Sequence, residues 1–170
     1  MTKISSLTAI FMFVIAALIP TAAFAQKGEK TVGLRAGYST RNESAIAGVY
    51  FQYRFSRYFR LAPNIDYIFR HRGTDAFSFN GNAHFPISLV PQRLNIYPLA
   101  GINYTSWNMR IEGLDETDDV TTREGKFGLN IGGGLEWYAT PTLKVLFEGK
   151  FCWVNKYDTG ALTLGIGYVF

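Results

Sequence analysis

The chain has 170 residues, with 17 Lys and Arg against 13 Asp and Glu and a single cysteine. That length is one domain; a net charge of +4 without a Lys/Arg run excludes a nucleic-acid binder, and one cysteine excludes an internal disulfide. Seventeen Gly, fourteen Phe and ten Tyr favour strands and turns over helices.

Residues 1–25 stand apart. Lys3 gives a basic start, Ile10–Ile19 is an apolar run, and Ala23-Phe24-Ala25 forms an A-x-A cleavage pattern before Gln26. This predicts a cleaved secretory signal peptide, leaving a domain over 26–170. The run falls short of the ~20 apolar residues of a helical span. No later run is longer, so a membrane-spanning form of this chain must be a β-barrel, which satisfies its backbone internally.

Hydrophobicity with a period of two then predicts eight strands: Lys30–Tyr38, Ala45–Phe55, Phe59–Phe69, Ala76–Leu89, Leu94–Ser106, Lys126–Tyr138, Leu143–Val154 and Ala161–Phe170. Tight turns at 56–58, 90–93 and 139–142 alternate with polar connections at 39–44, 70–75, 107–125 and 155–160. The fold class is therefore all-β: an eight-stranded antiparallel up-and-down transmembrane barrel, with both termini and the short turns on the periplasmic side.

Residue size decides which face is inside. Leu34, Phe51, Ile65, Leu129 and Ile166 share one face, while Gly33, Gly48, Gly132, Gly134 and Gly165 share the other. Glycine weakens a strand on an open surface but makes room on a crowded concave one. The polar, Gly-rich face should point inward and the bulky face to lipid. Aromatic residues fall near both strand ends on the lipid face, as two interfacial girdles: Phe55, Phe59, Trp137 and Phe170 at the turns, Tyr67, Phe77, Tyr104 and Trp153 at the loops. Pro63, Pro86 and Pro98 oppose this scheme, because a closed barrel has no free edge for a residue without an N–H.

The strand-and-loop rhythm, the ending GIGYVF and the stretch LNIYPLAGINYTSW (Leu94–Trp107) resemble the OmpA/OmpX-type family of small eight-stranded outer-membrane barrels. That resemblance implies localisation in the bacterial outer membrane after secretion. It also implies contact with outer-membrane lipid and insertion by the outer-membrane assembly machinery, with Tyr168 and Phe170 as the signal read by it. It implies no particular function.

Parity sends Arg35, Arg54, Arg60, Asp66, His84, Lys126, Glu136, Lys144, Glu148 and Lys150 into the lumen as a polar network. Buried charges must be paired, so Glu136 is predicted to bridge Lys144 directly across the last tight turn, and the facing Arg54 and Arg60 need an acid. Eight strands leave side chains filling the lumen, so a structural plug is favoured over a narrow channel for small solutes or ions. Neither His71 nor His84 belongs to a nucleophile–base constellation, so no catalytic residue, metal ligand or cofactor is assigned. The acidic loop with Glu112, Asp115, Glu116, Asp118 and Asp119 is the candidate surface for an extracellular partner, its sharper form a protruding hairpin of Met109–Gly113 with Val120–Glu124. The leading reading is a monomeric, non-enzymatic structural or surface-interaction barrel; the channel is the alternative.

Overall fold

The computed structural model describes residues 28–41, 43–71, 73–111, 120–154 and 158–170. The signal segment and the loop carboxylates Glu112, Asp115, Glu116, Asp118 and Asp119 lie outside the described residues. The strands are β1 (Lys30–Ser39), β2 (Ser44–Arg54), β3 (Arg60–His71), β4 (Thr74–His84), β5 (Ile87–Val90), β6 (Leu94–Ile111), β7 (Val120–Thr140), β8 (Leu143–Val154) and β9 (Thr159–Val169). Apart from β4 and β5, which do not pair with each other but both pair β6, consecutive strands pair antiparallel, and β9 closes onto β1 from Thr31↔Val169 to Ser39↔Ala161. Because β4 and β5 are successive halves of one stave, the barrel has eight staves among the described residues.

The sidedness is as expected. Leu34, Leu129 and Phe127 are exposed on the outer face, while Arg60, Glu136 and Lys144 are fully buried inside. Glycines make the interior possible. A Cβ at Gly33 or Gly167 would strike Tyr50, and one at Gly134 would strike Tyr97, so both tyrosines lie across glycine strips of neighbouring strands. The aromatic girdles are also present. Tyr53, Phe55, Phe59 and Phe85 form a chain of ring contacts at the turn end. Tyr67, Phe69 and Phe77, with Tyr104 and Phe127, do so at the loop end.

Four expectations are corrected. The segment 107–125 is not all loop: β6 and β7 continue as a paired ribbon to Ile111↔Val120. The predicted charged turn at 70–75 contracts around Gly73, whose φ of +80° allows the chain to reverse between His71 and Thr74. The fourth predicted strand breaks at Phe85–Pro86, and Ser88, expected inside, is exposed. The register across the last tight turn also differs: Lys144 pairs with Tyr138, and Glu136 with Leu146, because of an irregularity between Tyr138 and Thr140.

The prolines leave their marks where a donor is missing. The β2–β3 ladder skips from Tyr50↔Asn64 to Tyr53↔Leu61, a gap that contains Pro63, which has no N–H to donate. Pro98 accepts the Phe85 N–H at 3.1 Å but cannot return one, at the place where Pro86 ends β4.

Candidate functional site: the polar lumen

Inward positions on β1, β2, β3, β4, β6, β7 and β8 converge on one continuous network. At the turn end its centre is Glu136, buried on β7. Arg60 donates to it at 2.6 Å, Asn95 at 2.9 Å, and Arg54 and Lys144 each at 3.4 Å. A second carboxylate, Glu29, enters from the residue before β1. Its Oε1 accepts from the Tyr138 hydroxyl at 2.8 Å and from Lys144 at 3.4 Å, and Arg54 lies 3.7 Å from its Oε2. Two backbone bonds hold that entry: the Gly28 N–H to the Arg54 carbonyl at 2.8 Å, and the Arg54 N–H to the Glu29 carbonyl at 2.9 Å. Three cations thus share two carboxylates.

A second cluster sits at mid-depth. Arg35 engages Asp66 with two nitrogens, donates to Asn64 at 2.8 Å and reaches Glu148 at 3.1 Å. Lys150 stands 3.6 Å from Asp66. Here two cations meet two carboxylates. His84 joins the clusters: Arg60 Nη2 is 3.2 Å from its Nδ1, Glu148 is 3.7 Å from its Nε2, and its ring stacks on Tyr97 at 4.4 Å. The Tyr97 hydroxyl donates to Glu148 at 3.2 Å.

Toward the loops the charges give way to asparagines. Asn103 donates to Asn130 at 2.6 Å, and Asn130 donates to Asn80 at 2.9 Å and Asn82 at 2.8 Å. Lys150 also donates to Asn80, at 3.0 Å, which ties this ladder to the charges below. Above the ladder the lumen turns apolar, with Ile46, Ile68, Ala76, Trp107 and Ala161 packed together. Buried ions are tolerable only when nearly all their hydrogen-bonding groups are used, and charge-assisted bonds of this kind are the strong ones. The arrangement is that of a cross-braced filling.

Of the ten residues predicted to form the network, nine do so. Lys126 does not: it lies half-buried near the loop end, 2.8 Å from Glu124. The Glu136–Lys144 contact exists, but diagonally rather than face to face, since the register is shifted. Arg54 and Arg60 do pair directly, and Glu136 is the acid they require. Glu29, Tyr97 and Tyr138 were missed by counting charges within strands. Parity carried one step before β1 would have found Glu29. Tyr168 and Phe170 lie at the turn end with stacked rings 6.3 Å apart. Among the described residues His84 meets no Ser, Thr or Cys hydrogen-bond partner, and Cys152 is buried and free.

A closed barrel of eight staves with lipid-type polarity outside and ions inside narrows the choice of family. The family described as outer membrane protein beta-barrel domain matches residues 11–170. The chain belongs to this family. Its structural neighbours are small outer-membrane barrels. The N-terminal β-barrel domain of Pseudomonas aeruginosa OprF is 17% identical at a TM-score of 0.68, covering 85% of this chain and 98% of that one. Neisserial surface protein A is 13% identical at 0.64, with 82% and 95% covered. Ail, the attachment invasion locus protein of Yersinia pestis, is 14% identical at 0.61, with 85% and 100% covered, in a complex with the heparin analogue sucrose octasulfate. At such identities the likeness is one of fold. No curated protein matches the sequence. Family membership makes this an OmpA/OmpX-type outer-membrane barrel.

Proposed function

We propose that this outer-membrane barrel is a non-enzymatic surface-interaction protein: a rigid, plugged stave-ring that holds the β6–β7 ribbon above the membrane for pairing with an extended segment of an extracellular partner. The observation that carries this is an asymmetry of ladders. β6 pairs β7 up to Ile111↔Val120, whereas β8 pairs β7 only as far as Gly128↔Val154. Among the described residues, 120–127 of β7 are therefore paired on one side only. An open strand edge is a template for strand addition, and specificity comes from alternate side chains. The attachment role in the name of Ail supports a surface role for a barrel of this shape.

In this reading the turns and termini face the periplasm, the chain arrives by secretion across the inner membrane, and Tyr168 and Phe170 serve as the assembly signal. The lumen does not conduct, because its axis is occupied by paired side chains.

The ribbon is tested by substituting proline at Arg123 and, separately, at Glu124. Neighbouring N–H groups point to opposite sides, so one of the two removes an edge donor. Proteoliposomes carrying that variant should adhere to matrix-protein-coated surfaces several-fold less than wild type, while heat-dependent gel mobility shows an intact barrel. Equal adhesion by all three proteins rejects the edge. Planar-bilayer recordings on the refolded chain should show no current steps; discrete steps would establish the channel reading instead.

A further inference from the structure

We propose that the turn-end rim is a headgroup-binding surface selective for anionic phospholipids, with Arg57 and Arg93 as its phosphate-binding residues. This rests on membership of the outer-membrane family and is independent of the strand-edge reading.

The charges at the two rims differ in kind. At the loop end, exposed or half-buried cations and acids are interspersed: Arg41, Arg123 and Lys126 with Glu43, Glu124 and Asp158. At the turn end the exposed charged side chains among the described residues are Lys30, Arg57 and Arg93. No Asp or Glu side chain is exposed there among those residues. The one acid near that rim, Glu29, is turned inward, 4% exposed and held by Tyr138, Lys144 and Arg54. The fold removes the negative charge from the surface and leaves the positive charge on it.

The aromatic girdle sets the depth of those cations. Phe55, Phe59 and Phe85 are in ring contact in series below the β2–β3 and β5–β6 turns. Rings of this kind sit at the level of the headgroups. Arg57 lies in the β2–β3 turn beside Phe59, with its guanidinium 5.6 Å from the centre of the exposed Tyr58 ring. Arg93 ends the β5–β6 turn, its backbone N–H bonded to Val90 at 3.1 Å and its carbonyl to Tyr138 at 2.8 Å, so its Cα is fixed. Arginine offers a phosphate a two-pronged donor. Placed above an aromatic belt, with no exposed Asp or Glu side chain at that rim among the described residues, the two guanidiniums meet the phosphate plane of the leaflet. A net negative headgroup, such as phosphatidylglycerol, has no ammonium to compete with them, whereas phosphatidylcholine carries its own.

The test is electron spin resonance of lipids in the first shell around the refolded full chain, in phosphatidylcholine bilayers doped with spin-labelled phosphatidylglycerol or spin-labelled phosphatidylcholine. Wild type should enrich labelled phosphatidylglycerol about two- to fivefold over labelled phosphatidylcholine. R57Q/R93Q should bring that ratio close to one, while the loop-rim control R41Q/R123Q retains it. Heat-dependent mobility confirms that each variant is folded. A ratio near one in wild type, or a preference that survives R57Q/R93Q, overturns the proposal; loss of preference in the loop-rim variant alone assigns the effect to the other leaflet and overturns it equally.

Discussion

Glu136 is the single most connected ion of the lumen, with Arg54, Arg60, Lys144 and Asn95 all directed at its two oxygens. Removing the charge of one member of a buried set leaves the others uncompensated, at a cost of about 3–5 kcal/mol. Glu136→Gln should lower the urea midpoint of the refolded barrel accordingly, and a shift within error would mean that the cations are hydrated rather than braced. Glu29→Gln should cost less. Its partners Lys144 and Arg54 retain Glu136, and the backbone bonds of Gly28 and Arg54 do not involve the side chain. Amide exchange at residues 28–31 measures the effect: faster exchange there, with β7 unchanged, is the expected pattern. Charge identity and parity made most of this network legible in the sequence. Lys126 was assigned to it wrongly because parity gives the direction of a side chain but not its depth along the barrel.

At the scale of elements, the prolines are the local exceptions to a regular ladder. Pro63 lies in the gap of the β2–β3 ladder between Tyr50↔Asn64 and Tyr53↔Leu61, exposed on the bulky outer face. Pro63→Val should supply a donor in that gap and stabilise the wall by about 0.5–1.5 kcal/mol, read as a protected amide at residue 63, where the proline has none, and a higher unfolding midpoint. The opposite change is expected at Gly134. Any Cβ there meets the Tyr97 ring, and Tyr97 in turn holds Glu148 and stacks on His84. Gly134→Val should therefore be destabilising or block refolding, whereas Gly81→Val, on the open outer face with only Ile102 nearby, should fold. Gel mobility before and after boiling distinguishes these outcomes. The β6–β7 ribbon was legible only in part: Trp107, taken for loop, is buried on the inner face among Ile46, Ile68, Ala76 and Ala161. Alternation persists from Asn103 through Thr105 to Trp107, and the acid-rich composition that follows masked it.

For the whole molecule, the inside-out arrangement has a consequence for behaviour in solvent. The interior ions cannot stabilise the barrel in water while Leu34, Phe127, Leu129 and Trp153 are exposed on its outside. Folding should therefore require detergent or lipid, and β1 must meet β9 before the first and last staves lose their open edges. Leu34→Arg on the outer face, midway along β1, should hinder insertion, since a cation near mid-depth costs about 2–4 kcal/mol, whereas Thr31→Ser on the inner face should be tolerated. Fluorescence-monitored refolding into vesicles gives the comparison.

The sequence by itself determined the number of staves, which face holds the ions and where the aromatic belts lie. Each of these follows from a local rule, the two-residue period of a strand together with side-chain size. Tertiary structure alone decided the register across the 139–142 turn, the break at Phe85–Pro86, the depth of Lys126 and the use of Glu29 as a lumen acid. Those depend on how far one stave slides past the next before the ring closes, and that offset is set by all the pairings together rather than by any one segment.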